Sequence, residues 1–132
     1  MTDKRQALAN YLRFGKVRYY LDSLYFAQKK LTKDIKALTG LNLREVKFLL
    51  QVQTTPGCSL VSVQKNQLLP SSTAAWLADN LVQKGYLVRR QNPDNRREVI
   101  LDLAKEGEEL LGRIEGHFIT PERETRLLET ST

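Results

Sequence analysis

The sequence predicts a mainly α-helical protein with a small β-hairpin, arranged as a winged helix-turn-helix between N- and C-terminal helices. Helical apolar spacings alternate with turn residues over residues 42–85, and the period becomes that of extended strands over residues 86–103. The 132 residues, of which 41% are hydrophobic, suffice for one core. We therefore predict a single domain over residues 1–132.

A long first helix is predicted over residues 5–30, although Gly15 lowers the helix propensity of its middle. Its apolar side chains recur at mostly helical spacings: Leu8, Tyr11, Leu12, Val17, Leu21, Leu24 and Tyr25. They exceed what a small winged core can cover, so we predict helical dimerisation arms at residues 1–38 and 112–132 around a core of residues 41–111. The second arm offers a matching apolar set, Ile114, Phe118, Ile119, Leu127 and Leu128.

Two shorter helices follow the first. Asn42 and Glu45 have the spacing of a capping box at the start of a helix over residues 43–54, which the next Pro-Gly pair ends. A third helix, rich in Gln and Asn, begins at Ser59 or Ser62 and ends near residue 68.

A fourth helix is predicted over residues 72–84, with Ser71 as its N-cap and Gly85 as the left-handed residue that ends it. The third and fourth helices, joined by a tight turn, form the helix-turn-helix. The predicted interior stripe of the fourth helix is Ala74, Leu77, Ala78 and Leu81.

Extended segments at residues 86–88 and 99–103 flank turn residues at 92–95, which predicts a β-hairpin. A final helix begins near Ala104, and Pro121 separates it from a short tail helix around Leu127 and Leu128. The apolar residues of the final helix are Leu110, Leu111 and Ile114.

The formal charge of +6 is unevenly distributed along the chain. Residues 1–47 carry 11 Lys/Arg against 4 Asp/Glu, residues 89–97 carry 4 against 1, and residues 98–132 carry 4 against 9. Cations displace counterions from phosphates, so this pattern favours nucleic-acid binding. For one group of lysines a solvated helix surface is an equally good interpretation: Lys29, Lys30, Lys33 and Lys36.

The hairpin carries an arginine pair on each side of its turn, Arg89 with Arg90 and Arg96 with Arg97. Beside a recognition helix such arginines project toward phosphates, and one at the tip can enter a minor groove. The alternative is that they only keep the strand edge from pairing. Four arginines within nine residues exceed what edge protection requires.

The segment LVQKGYLVRRQNPDNRREVILDLAKEG, residues 81–107, resembles the MarR family of bacterial transcription regulators, and the similarity extends over residues 41–111. By position, Arg89 resembles the family's arginine after the first wing strand, and Arg97 resembles the arginine of the family's Asp-x-Arg wing motif. The family likeness implies a homodimer with one recognition helix per subunit in the major groove and one wing in the minor groove. It also implies dimerisation through the terminal helices and, in many members, release of DNA by a small ligand.

The sequence departs from the family pattern in the wing and after it. Asn95 stands where the wing motif has an aspartate, which leaves neighbouring Asp94 as the substitute carboxylate for orienting Arg97. Ala104 stands where a threonine opens the last helix, and Asp102 could cap a slightly shifted start.

The recognition helix departs as well, because Trp76 and Asn80 occupy positions where family members often have arginines. Asn can bond adenine, Ser and Thr can bond several base edges, and an apolar face can meet the thymine methyl, which favours A·T-rich sites. Two alternatives stay open: Trp76 as a core residue beneath the wing, and Ser71 as an N-cap only. The candidate DNA-binding residues are Ser71, Ser72, Thr73, Trp76, Asn80, Lys65, Arg89, Arg90, Arg96 and Arg97.

No catalytic, cofactor or metal site is indicated by the sequence. His117 has no cysteine cluster near it, and Gly-rich phosphate loops are absent. Cys58 cannot form an intrachain disulfide; it is either a thiol sensor or, more in keeping with a lone small cysteine, a passive half-buried residue. Without an export signal or membrane span, we expect a cytoplasmic protein.

Two functions from different classes fit the sequence. The first is a homodimeric regulator of double-stranded DNA, with a repressor role and release by a small aromatic or phenolic ligand. The alternative is a winged-helix protein-interaction module, an adaptor or antirepressor, since the recognition helix lacks basic residues. One aromatic set would line a ligand site or form the dimer core: Tyr11, Tyr19, Tyr20, Phe26 and Trp76.

Overall fold

The computed structural model describes residues 3–118 and confirms a mainly α-helical winged helix-turn-helix. Within this range the chain forms five helices and one three-stranded antiparallel sheet. In chain order the elements are α1 (Lys4–Thr39), α2 (Leu43–Thr54), β1 (Cys58–Ser59), α3 (Leu60–Asn66), α4 (Ser71–Gln83), β2 (Leu87–Asn92), β3 (Asn95–Leu103) and α5 (Lys105–Phe118).

Helix α1 is longer than its predicted range of residues 5–30. It has 36 residues, from an Asp3 cap to Gly40, whose φ of 76° places it in the left-handed region. The predicted end was wrong because residues 31–39 contain no helix breaker, and because Ile35, the one buried residue of α1, packs into the core. At 1.5 Å per residue the helix is about 54 Å long.

Helices α2 and α3 begin at their predicted caps. Asn42 Oδ1 accepts from the Glu45 backbone N–H at 2.9 Å while Glu45 Oε1 accepts from the Asn42 N–H at 3.2 Å, which confirms the capping box. Ser59, rather than Ser62, caps α3 through a 3.1 Å bond to the Ser62 N–H. Helix α3 ends at Asn66, before Leu68 takes a φ of 54°.

Helix α4 begins one residue earlier than predicted. Pro70 is the N-cap, with extended backbone angles and no side-chain bond, and Ser71 is already helical. The N-cap prediction for Ser71 was therefore wrong, because the proline supplies the extended residue that precedes the helix. Gly85 follows α4 with a φ of 84°, as predicted. The predicted interior stripe of α4 is buried: Ala74, Leu77, Ala78 and Leu81.

The sheet has the strand order β1-β3-β2. The predicted hairpin is present, with Leu87 opposite Leu103 and the register shifted between Gln91 and Asn92 near the turn. Strand β1 was not predicted, because its two residues are too few to show a period. It attaches the start of the helix-turn-helix to the hairpin, with Cys58 opposite Leu101.

One hydrophobic core joins α2, α4, the hairpin and α5. Helix α1 enters it only through Ile35, at the C-terminal end of that helix. The buried members are Ile35, Leu41, Val46, Phe48, Leu49, Val52, Val63, Leu77, Ala78, Leu81, Leu87, Leu101, Leu110 and Leu111. The core therefore fixes α4 and the wing relative to each other and leaves most of α1 outside.

Asp102 does not cap α5, contrary to the sequence-based prediction. Its carboxylate accepts from the Gly57 backbone N–H at 2.9 Å and from Arg90 Nε at 3.0 Å, so it points away from the helix start. Helix α5 begins at Lys105. The predicted tail helix around Leu127 and Leu128 lies outside the described residues.

Gly107 allows α5 to lie directly against Tyr86, in the turn between α4 and β2, and against Leu103 at the end of β3. It is buried, and an added Cβ would meet the Tyr86 carbonyl oxygen and lie 3.2 Å from Leu103 Cδ2. We expect Gly107→Ala to lower the unfolding free energy by about 2 kcal/mol, because backbone must shift to admit a methyl group. Chemical denaturation measures this. Gly112→Ala, on the same helix with no described atom within 4 Å, is the control and should raise stability slightly; equal losses would contradict the packing explanation.

Candidate nucleic-acid interface

The exposed face of α4 is centred on Ser72, Trp76 and Asp79. These positions lie opposite the buried stripe of the helix, since successive residues turn by 100°. Trp76 is 61% exposed, so the interpretation as a core residue beneath the wing was wrong. Ser71 is also exposed, and Thr73 is partly buried at the edge of this face. The first turns of α4 thus present hydroxyls and an indole to solvent.

Asn80 lies at the edge of α4 that faces α2. Its Nδ2 donates to Glu45 Oε2 at 2.9 Å, and Lys84 Nζ forms a 3.0 Å ion pair with the same oxygen. Glu45 is only 4% exposed, and these donors together with the capping bond satisfy its carboxylate. The amide of Asn80 therefore serves the contact between α2 and α4, which the sequence did not reveal.

The first arginine pair of the wing is engaged within the chain. Arg89 Nη1 pairs with Asp79 Oδ1 of α4, and Arg90 Nε pairs with Asp102 Oδ2 of β3. All four side chains are partly exposed. Asp79 was not singled out from the sequence, although it is the one charged residue of α4 and lies one turn after Trp76.

The second arginine pair is free of such partners. Arg96 and Arg97 are exposed at the start of β3, and neither guanidinium makes a hydrogen bond or ion pair within residues 3–118. Asn95 Oδ1 accepts from the Arg97 backbone N–H at 3.2 Å, which orders the turn. This bond does not involve the guanidinium of Arg97. Asp94 forms no side-chain bond to Arg97 in the described part of the chain, so it does not replace the missing aspartate.

Positive charge near α4 comes from its neighbours. Helix α4 contains no Lys or Arg, and Lys65 is exposed at the last turn of α3. The turn between α3 and α4 adds an apolar side chain, Leu68, which is 90% exposed. The interface is therefore an uncharged or weakly acidic helix between the basic wing tip and a lysine.

Most of α1 presents apolar side chains to solvent. Tyr19, Tyr20 and Leu21 are consecutive and so point in three directions about 100° apart. Apolar side chains on several sides of a helix are normally covered by a packing partner. The exposed set on α1 is Leu8, Tyr11, Leu12, Phe14, Val17, Tyr19, Tyr20, Leu21, Leu24, Tyr25, Phe26 and Leu31.

An open groove of about 870 Å³ follows the C-terminal half of α1. Its lining is Tyr25, Gln28, Lys29, Thr32, Lys33, Lys36 and Ala37. It contains none of the aromatic residues that the sequence suggested for a ligand site: Tyr11, Tyr19 and Tyr20 lie nearer the start of α1, Trp76 lies on α4, and Phe26 is beside Tyr25 but does not line the groove. Three lysines and one tyrosine give this groove a basic, partly aromatic character.

Other kinds of site are not evident in the described part of the chain. Residues 3–118 contain no group of three His, Cys, Asp or Glu side chains that could hold a metal ion. Cys58 is a half-buried free thiol in β1. None of the helices over the same residues is long and apolar enough to cross a membrane.

A helix-turn-helix with an arginine-tipped wing defines a winged-helix nucleic-acid-binding domain. The sequence model of the MarR family matches residues 41–99, from the start of α2 into β3. Residues 41–99 are therefore similar to the winged helix-turn-helix domain of the MarR family. No curated protein sequence matches the chain significantly.

Solved structures of this family share the fold. The chain is similar to Streptococcus pneumoniae FabT in complex with DNA, with 18% identity, a TM-score of 0.68, and coverage of 89% of this chain and 91% of that chain. A mutant of E. coli MarR complexed with operator DNA is 16% identical, with a TM-score of 0.67 and coverage of 98% of this chain and 96% of that chain. The transcriptional repressor CouR, bound to a 23-mer DNA duplex, is 24% identical, with a TM-score of 0.65 and coverage of 89% of this chain and 84% of that chain. At these identities the likeness establishes the fold.

Proposed function

We propose that this chain is a cytoplasmic bacterial repressor that binds double-stranded DNA as a homodimer and is released by a small aromatic or phenolic ligand. One observation carries the DNA-binding part: Arg96 and Arg97 are exposed on the wing, and their guanidiniums have no partner within residues 3–118. The similar structures of FabT, MarR and CouR hold DNA, which supports the same partner here.

In this proposal α4 enters the major groove and the wing contacts the backbone and the adjacent minor groove. The first turns of α4 contact base edges through Ser71, Ser72, Thr73 and Trp76. Lys65, Arg96 and Arg97 contact phosphates, which positions the protein without reading sequence. Asn80, Arg89 and Arg90 receive no DNA contact, because each has a partner within the chain.

The homodimer is supported by the exposed apolar surface of α1. Helix α1 contacts the rest of the chain mainly near its C-terminal end, where Ile35 is buried and Leu38 is partly buried, and its large apolar residues from Leu8 to Leu31 face solvent. In a two-fold symmetric dimer the same surface patch of both subunits forms the interface. The α1 and α5 helices of a second copy would supply that matching patch. Two copies would also present two α4 helices to successive major grooves.

The ligand is supported by the groove along α1. Tyr25 supplies an aromatic ring with Lys29 Nζ 4.9 Å from its centroid, and Lys29 and Lys33 supply cations suited to a phenolate or carboxylate, whereas Lys36 donates to the Gly40 carbonyl. A ligand there would lie on the proposed dimerisation arm, so its binding could change the separation of the two α4 helices.

A salt titration of DNA binding tests the proposal. We expect dimers that bind random duplex with a steep fall of log affinity against log salt concentration, and bind DNA beside the protein's own coding region more tightly. Protection mapping on that DNA would locate two half-sites. Absence of salt-dependent duplex binding by an intact dimer would reject this function and favour the protein-interaction module, for which α4 with Trp76 and without Lys or Arg is already suited.

A further inference from the structure

We infer that Asp79 keeps Arg89 from contacting DNA phosphates by holding it in an ion pair, which leaves the phosphate contacts to Arg96, Arg97 and Lys65. The inference rests on the proposed DNA-binding function and concerns the same surface. Asp79 is the one formal charge on α4, and within residues 3–118 its ion-pair partner is Arg89 from the start of β2. Helix α4 itself contains no arginine or lysine that could take the place of Arg89.

The position of Asp79 determines what would happen at a DNA surface. It lies on the exposed side of α4, one turn after Trp76, and about half of its side chain is exposed. In the major groove this carboxylate would be flanked by two rows of phosphates. Like charges a few ångströms apart repel weakly in water and more strongly at lower effective dielectric constants. Asp79 therefore needs a cation beside it when DNA is bound.

Arg89 can neutralise either Asp79 or a DNA phosphate. Moving from Asp79 to a phosphate would bring no net gain in binding free energy. If Arg89 moved to a phosphate, the carboxylate of Asp79 would face the DNA without a cation. In the free protein the pair is worth little, since both side chains are about half exposed. At the DNA surface the repulsion just described adds to its stability, and the pair behaves as a neutral unit.

A neutral pair releases no counterions, so sequence-independent binding comes from Arg96, Arg97 and Lys65. Phosphate contacts carry no sequence information. Keeping Arg89 from the backbone thus increases the share of the affinity that depends on the base contacts of α4. Asp79 in this way acts on specificity through Arg89, as a positioning residue, without contacting a base itself.

The test compares salt slopes of duplex binding for the intact protein and three variants. Asp79→Asn frees Arg89, and we expect random-duplex affinity to rise up to about tenfold per subunit near 0.1 M salt, with the slope steeper by up to about one unit per subunit. The double variant Asp79→Asn with Arg89→Gln replaces the neutral pair by neutral groups and should return the slope to that of the unaltered protein. Asp94→Asn is the charge-matched control, since Asp94 holds no arginine in the described structure.

The outcomes separate this inference from the proposed function. If Arg89 already contacts phosphate, the double variant will lose about one unit of slope per subunit and Asp79→Asn will change nothing, which overturns the inference. Equal gains from Asp79→Asn and Asp94→Asn would assign the effect to net charge and also overturn it. If the unaltered protein shows no salt-dependent duplex binding, the proposed function itself fails. Thermal unfolding of each variant confirms that it is folded.

Discussion

Replacing Arg96 and Arg97 by alanine is expected to lower the affinity for operator and for random duplex by a similar, large factor. Both guanidiniums are exposed and have no partner within residues 3–118, so nothing in the described chain competes with phosphates for them. Each lost phosphate contact removes up to about 0.9 unit of log-log salt slope. Four such contacts per dimer correspond to a loss of roughly a thousandfold near 0.1 M salt.

Base selection should change little in this double variant, because the α4 residues that we assign to base edges are untouched. Lys4→Ala with Arg5→Ala removes the same charge from the N-terminal end of α1 and serves as the control. Fluorescence anisotropy at several salt concentrations gives both affinity and slope. Unchanged slopes after removal of both wing arginines would show that the wing does not touch DNA.

The second large effect is expected from Leu21→Glu with Leu24→Glu in α1. Both leucines are more than 60% exposed in the single chain, and we propose that a second copy buries them. Burial of each leucine contributes about 1.5 kcal/mol or more, so loss of four per dimer should raise the dimer Kd at least about ten-thousandfold. Sedimentation at micromolar concentration should then show monomers, with DNA affinity at least about a hundredfold lower.

Two added charges at polar positions of the same helix provide the control for this variant. Gln6 and Asn10 hydrogen-bond to each other on the exposed surface of α1, and Gln6→Glu with Asn10→Glu should leave the dimer intact. Removal of residues 1–30 should also weaken dimerisation and DNA binding. The product should be an aggregating or monomeric protein that binds DNA weakly. Sedimentation of the unaltered protein as a monomer at micromolar concentration would refute dimerisation.

The local features of this fold were predictable because a few neighbouring residues determine them. Asn42 with Glu45, Ser59 as a cap, and Gly85 as a helix end all act within one turn of the backbone. The four-residue stripe of α4 was equally visible as a period. The predicted N-cap at Ser71 failed at a boundary, where Pro70 already met the requirement for an extended residue.

The remaining features depend on residues that are distant in sequence. Glu45 meets Lys84 across 39 positions, and Gly57 meets Asp102 across 45. The chain order gives no sign of either contact, so Asp102 was wrongly assigned to a cap, and the bond between Asn80 and Glu45 was not anticipated. The same limit applies to the wing, where the sequence shows four arginines but not that two of them have carboxylate partners. Which residues contact DNA stays a prediction.

The carboxylate of Glu45 has a mechanical consequence for the recognition helix. One oxygen is bonded at the start of α2, and the other holds Asn80 and Lys84 near the end of α4. If α2 tilted while α4 stayed in place, the buried carboxylate of Glu45 would separate from its donors Asn80 and Lys84. Such a separation costs several kcal/mol. Helices α2 and α4 should therefore rotate as one rigid body, so that a displacement beginning at the C-terminal end of α1 is transmitted to the DNA-facing residues instead of being absorbed between the helices.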